Sequence, residues 1–108
     1  MNIIRTAFDN LFIIEPNVHI DSRGFFKETF QRKTLEHVLK KKINFSQDNI
    51  VTSSNMVLRG LHYQEEPYSQ SKLIFAVSGK ILDIVVDIRK NSKTYGEYFS
   101  IELSSKNH

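Results

Sequence analysis

The sequence predicts an all-β fold, a sandwich or small barrel with one short helix near residues 34–42. Three features carry that prediction. About seven short apolar runs follow one another at close spacing. Turn-forming clusters separate them, among them Asp21-Ser22-Arg23-Gly24, Ser53-Ser54-Asn55 and Gly79-Lys80. Only one stretch has the periodicity of a helix. The 108 residues suit a single domain, 1–108, with a core of modest size.

Met1 to Asn10 carries little signal. Leu11 to Glu15 is an apolar run stopped by Pro16, a strand that ends in a turn. Val18 to Ile20 is a second short extended piece. Asp21 to Gly24 has turn chemistry, with Asp and Ser at the opening and Gly where a positive φ is needed. Phe25 to Phe30 follows, with Phe26, Glu28 and Phe30 on alternate positions. A carboxylate between two phenylalanines is either a solvated edge residue or a group placed at a pocket or subunit interface.

Thr34 to Lys42 is the helix. Leu35, Val38 and Leu39 share one face, Thr34 is the expected cap, and the late lysines suit the helix dipole. Phe45 to Ser53 reads as a strand on which Gln47 and Asn49 share a side. They form a solvated face or a pair of amides lining a cavity. Met56 to Gln64 is the expected central strand, followed by a Pro67 loop. Lys72 to Ser78 is a further strand, and Gly79-Lys80 signals a tight hairpin into Ile81 to Arg89. Asn91 to Lys93 turns the chain, and Tyr95 to Leu103 is the last strand, with Phe99, Ile101 and Leu103 on one face.

The formal net charge of +3 is mild, and Lys40-Lys41-Lys42 supplies much of it at the solvated end of the helix. No basic stripe with interleaved aromatics argues for nucleic acid. The absence of cysteine excludes a disulfide framework and a thiolate metal site. No apolar run approaches membrane-spanning length and no signal-peptide pattern opens the chain, so a soluble cytoplasmic protein is expected.

Chemistry concentrates between Leu58 and Lys72. Arg59, His62, Gln64 and Lys72 bring a guanidinium, an imidazole, a carboxamide and an ammonium together with apolar neighbours. Polar groups with buried neighbours need partners or line a cavity. A cavity of those four types suits an anionic, carbonyl-bearing ligand and a proton transfer. Strand parity puts Arg59 and His62 on opposite faces. For both to serve one pocket the strand must slip at Gly60, so a bulge or twist is expected there. Otherwise Arg59 points to solvent and Gly60 eases packing.

These residues carry a resemblance. Asp21-Ser22-Arg23-Gly24-Phe25-Phe26-Lys27-Glu28, Phe45-Ser46-Gln47-Asp48-Asn49, Leu58-Arg59-Gly60-Leu61-His62-Tyr63-Gln64, Lys72-Leu73, and Val85-Val86-Asp87-Ile88-Arg89 with Ser92 and Tyr95-Gly96 occur in that order. The chain resembles the N-terminal part of the dTDP-4-dehydrorhamnose 3,5-epimerase family, cofactor-independent epimerases on a cupin (jelly-roll) fold. The resemblance runs from about Leu11 to Asn107 and implies a domain that is incomplete at its C-terminus.

By that resemblance His62 is the general base that takes protons from C3 and C5 of a dTDP-4-keto-6-deoxyhexose. Lys72 steadies the enolate oxygen. Arg59, Gln47 and Asn49 hold the sugar nucleotide. Arg23, Phe26 and Glu28 reach the site from the neighbouring subunit of a homodimer. The chemistry suits the roles. Histidine is the side chain best matched to base work near neutral pH. A preorganised cation at a developing oxyanion contributes on the order of 3 kcal/mol. Arginine offers a planar fork to a diphosphate, and a reaction without net oxidation needs no redox cofactor.

No metal is expected either. A metal-binding cupin uses two His separated by one residue, then a Glu separated by six residues from a Gly. Here Gln64 and Lys72 stand at the second His and the Glu positions, and an ammonium cannot ligate. His19, His37 and His108 lack ligand spacing. The family's later segment carries a proton-donor tyrosine, an aspartate that pairs with the base, and strands that close the barrel; this chain's tyrosines do not match that donor. Asp83 is a candidate partner for His62, or a satisfied polar residue on a sheet. Unpaired sheet edges make a strand-exchanged dimer or higher oligomer the expected assembly. Two other readings are a non-catalytic sugar-nucleotide-binding or oligomerising cupin fragment and an unrelated β-sandwich binding module. The latter would scatter Arg59, His62 and Lys72.

Overall fold

Strands pair where the chain returns on itself within a few residues, and once across a longer connection. The computed structural model describes all 108 residues as six strands and one helix. Strands β1 (Asn2–Arg5) and β2 (Phe12–Glu15) form an antiparallel ladder with Ile3 opposite Ile14. Strands β3 (Val18–Asp21) and β4 (Gly24–Lys27) form a second, with His19 opposite Phe26. Helix α1 (Arg32–Leu39) follows. Strands β5 (Lys80–Val86) and β6 (Tyr98–Ser104) form the third ladder, with Asp83 opposite Ile101 and Val85 opposite Phe99. The fold is all-β with one short helix.

The Asp21–Gly24 turn closes as its chemistry predicts. Asp21 Oδ1 accepts from the Arg23 backbone N–H at 2.8 Å, and Gly24 takes φ +134°, a region that side chains disfavour. Strand β1 is an element the sequence reading missed. Ile3 and Ile4 are its apolar signal, and Asn10, at φ +64°, is the left-handed residue of its turn. Thr6 ties that turn by donating from Oγ1 to the Leu11 carbonyl at 3.0 Å.

The helix begins two residues earlier than predicted. Gln31 caps it, its Oε1 accepting from the Thr34 N–H at 2.6 Å, so Thr34 lies inside the first turn. Lys40 ends it in the left-handed conformation, leaving Lys41 and Lys42 beyond the helix. The Glu36 carboxylate accepts from the Ile43 N–H at 2.9 Å, past the helix end. Leu35 is the side chain this helix buries, at 2% exposure.

The runs 45–53, 56–64 and 72–78 form no regular strand. A strand needs a neighbour to take its N–H and C=O groups, and these segments have no ladder partner within the chain. The Gly79-Lys80 hairpin is likewise absent: β5 starts at Lys80 and pairs with β6, while the Gly79 carbonyl accepts from Ser105. At Gly60 the chain turns with φ +129°, the predicted twist, though no ladder exists in which it could be a bulge.

Three residues are buried: Phe8, Leu35 and Asp87. Phe8 meets Phe99 edge-on at 6.4 Å, joining the first and third ladders. Only 28 backbone–backbone hydrogen bonds form, where a closed fold of this length carries about 70. The accessible surface is 9651 Å², against about 6,200 Å² for a closed monomer of this mass. The radius of gyration, 15.3 Å, exceeds the roughly 13 Å of a compact chain. The architecture is that of open sheets with their faces uncovered.

Candidate functional site

The best-formed of the predicted site residues lie on the β3–β4 hairpin. Alternation places Asn17, His19 and Asp21 on the same side as Gly24, Phe26 and Glu28. Met1, Asn17, His19, Phe26 and Glu28 line a cavity of about 170 Å³. A second cavity, of about 460 Å³, adjoins it around His19, Phe26, Asp21 and Arg23. Phe26 is 68% exposed, so its ring face is open to a ligand.

Arg23 is held at the hairpin tip. Its Nη2 donates to Asp21 Oδ2 at 2.6 Å and its Nε at 3.2 Å, a fork on one carboxylate. The Arg23 side chain, and then its backbone N–H, draw the Asp21 carboxyl below its usual range, and Asp21 raises the Arg23 guanidinium in turn. Both groups are exposed, so the pairing orients more than it stabilises.

Gln47 and Asn49 stand side by side, Gln47 Nε2 donating to Asn49 Oδ1 at 3.1 Å. That contact is what alternate positions on one extended segment allow. Arg59 folds back on its own loop, donating from Nε to Ser53 Oγ at 2.9 Å. His62 and Lys72 are exposed, and neither enters an ion pair. Asp83 is half-buried on the face of Phe99, Ile101 and Leu103, and it too enters none. Thus Arg23, Phe26 and Glu28 share one surface, and Gln47 pairs with Asn49. Arg59, His62, Lys72 and Asp83 form no hydrogen bond or ion pair with one another. No three His, Asp or Glu side chains cluster as a metal site, and no helix is long and apolar enough to cross a membrane.

Beyond β5, Asp87 anchors a knot whose energetic role the sequence alone did not disclose. Its buried carboxylate accepts from Arg89, from Ser92 Oγ at 2.6 Å and from Thr94 Oγ1 at 2.7 Å. The Asp-x-Arg-x-x-Ser-x-Thr spacing was the available signal.

Comparison with known proteins places this geometry. A family model described as dTDP-4-dehydrorhamnose 3,5-epimerase matches residues 5–108. The dTDP-4-dehydrorhamnose 3,5-epimerase of Shigella flexneri is 48% identical over 107 residues, covering 99% of this chain and 59% of that enzyme. The crystal structure of dTDP-6-deoxy-D-glucose-3,5-epimerase from Legionella pneumophila, in complex with dTDP-4-keto-L-rhamnose, superposes with a TM-score of 0.92 at 46% identity. It covers 98% of this chain and 56% of the Legionella chain. An epimerase from Mycobacterium tuberculosis superposes at 0.93 with 36% identity, covering 99% of this chain and 54% of that one. The chain therefore spans somewhat more than half the length of the relatives it matches. Its strands are those of the cupin fold, and the chain belongs to the dTDP-4-dehydrorhamnose 3,5-epimerase family.

Proposed function

We propose that this chain carries the base-and-binding half of a 3,5-epimerase site. That site converts dTDP-4-dehydro-6-deoxy-glucose to dTDP-4-dehydro-rhamnose in deoxysugar biosynthesis. The observation behind the reading is the Legionella complex: a protein solved with dTDP-4-keto-L-rhamnose aligns with 98% of these residues.

In this reading His62 removes the proton at C3 and then at C5. Each carbon lies beside the C4 ketone, so each departing proton leaves an enolate. Lys72 places its ammonium at the enolate oxygen, where charge develops. Arg59, Gln47 and Asn49 hold the diphosphate and sugar, and Arg23, Phe26 and Glu28 hold the nucleotide of a neighbouring subunit. Asp83 orients His62 through the open inner face of β5. Reprotonation on the opposite side of the ring needs an acid, which this reading assigns to the part of the family pattern lying beyond these residues. No redox cofactor and no metal enter the scheme.

The reading includes a homodimer in the cytoplasm. The three two-stranded sheets leave open edges that can pair with a second chain. Hairpin residues acting on a neighbour's ligand also need a second copy.

A second reading, a non-catalytic sugar-nucleotide-binding module, has its own observation. The proposed base and cation are both exposed to water, whereas catalysis by a preorganised cation depends on excluding it. Deuterium wash-in separates the two. The chain is incubated with dTDP-4-dehydro-6-deoxy-glucose in D₂O, and C3 and C5 are followed by NMR. Exchange above the buffer rate supports the epimerase half-site. Binding without exchange supports the module.

A further inference from the structure

We propose that Ser53 is a positioning residue for Arg59, holding one edge of its guanidinium so that the other end is presented to the diphosphate. The inference rests on the sugar-nucleotide reading above, in which Arg59 holds the ligand, and adds a residue which that reading does not use. Arg59 Nε donates to Ser53 Oγ at 2.9 Å, and Arg59 Nη2 donates to the Thr52 carbonyl at 3.5 Å. Ser53 lies six positions earlier in the chain. The turn at Asn55 and Met56 brings the two together, with Met56 in the left-handed conformation at φ +60°.

Nε and Nη2 form one edge of the planar guanidinium, and this loop occupies it. The Nη1 hydrogens and the second Nη2 hydrogen stay free, and between them they make an end-on fork for a pair of phosphate oxygens. The partners on the occupied edge are neutral. Arg23 uses its Nε and Nη2 on the Asp21 carboxylate, which offsets its charge. Arg59 uses the same two nitrogens on a hydroxyl and a carbonyl and enters no ion pair, so its whole charge faces the ligand. An exposed arginine otherwise spreads over many rotamers, and fixing one of them on binding costs side-chain entropy. The Ser53 hydroxyl meets that cost before the ligand arrives.

A double-mutant cycle by titration calorimetry on the full chain tests the assignment, with inorganic pyrophosphate, dTDP and thymidine as probes. Ser53→Ala should weaken pyrophosphate and dTDP about fivefold, and Ser53→Thr, which keeps the hydroxyl, should stay within about twofold of wild type. Thymidine, which has no phosphate, should bind all three alike. Arg59→Ala should weaken pyrophosphate and dTDP at least about tenfold. Adding Ser53→Ala to Arg59→Ala should then change nothing, because Ser53 acts through the guanidinium. In the ¹H–¹⁵N spectrum the Arg59 Nε–H signal should be sharp in wild type and in Ser53→Thr, and broadened by exchange with water in Ser53→Ala. If Arg59→Ala loses pyrophosphate while Ser53→Ala binds it as wild type does, the role of Ser53 is overturned and the sugar-nucleotide reading stands. A loss from Ser53→Ala that persists in the Arg59→Ala background also overturns it, since Ser53 would then act on the loop and not on Arg59. A wild-type chain that binds no dTDP overturns both.

Discussion

Arg89 grips the buried carboxylate of Asp87 with one edge of its guanidinium, Nε at 2.8 Å from Oδ1 and Nη2 at 2.7 Å from Oδ2. The Arg89 backbone N–H adds a bond to Oδ1 at 3.0 Å. Ser92 and Thr94 fill Oδ2. The Asp87 backbone is engaged too, its N–H donating to the Glu97 carbonyl and its C=O accepting from Gly96. Arg89 Nη1 then reaches the Asp9 carbonyl at 2.9 Å. One carboxylate thus closes the β5–β6 connection and ties it to the loop between β1 and β2.

That arrangement predicts a sensitivity to acid. The Arg89 side chain, then Ser92 and Thr94, hold the Asp87 carboxyl far below its ordinary value of 3.8. A carboxyl lowered in the folded state adds stability above its unfolded value and loses it as the pH falls further. Stability should therefore drop steeply below about pH 3.8. Asp87→Asn should flatten that limb and lower the melting temperature at pH 7 by about 5–10 °C. Urea unfolding at several pH values measures both.

Leu35 is the one side chain that α1 buries almost completely. Leu35→Ala should destabilise the chain by about 2–5 kcal/mol. With so few buried residues the helix has little else to hold it. Far-ultraviolet circular dichroism should show helix loss at lower urea than the strand signal.

Asp21 positions Arg23, and the two have separable effects on nucleotide binding. Arg23→Ala should weaken dTDP at least tenfold, the loss of a charge-assisted fork to phosphate. Asp21→Ala leaves the charge but frees the guanidinium, so a smaller loss of about twofold to threefold is expected. Raising salt should narrow the first difference, as calorimetry at two ionic strengths would record.

Local chemistry was legible in the sequence, and long-range pairing was not. The Asp21–Gly24 turn followed from residue types whose side chains and φ preferences act within four positions. So did the inward face of Phe99, Ile101 and Leu103, because alternation is a property of one strand. The runs around Gln47, His62 and Lys72 have strand composition, yet a ladder also needs a partner that composition cannot supply. β1 was missed because four residues with two isoleucines give almost no periodicity. The helix start was misplaced because Gln31 is an uncommon cap. Of the site, the spacing of Gln47 and Asn49 and the Phe26–Glu28 face could be read directly. The face shared by His19 and Phe26 required the β3–β4 register.

The central claim is that His62 takes a proton from carbon beside the C4 ketone while Lys72 meets the oxygen. Its most direct test is the C3 and C5 deuterium exchange rate of dTDP-4-dehydro-6-deoxy-glucose in His62→Ala and Lys72→Met, with dTDP affinity measured alongside. The account predicts that His62→Ala lowers exchange about 10²–10⁴-fold and Lys72→Met about 10²–10³-fold, both with dTDP affinity kept within about threefold. Exchange at the wild-type rate in His62→Ala would contradict it.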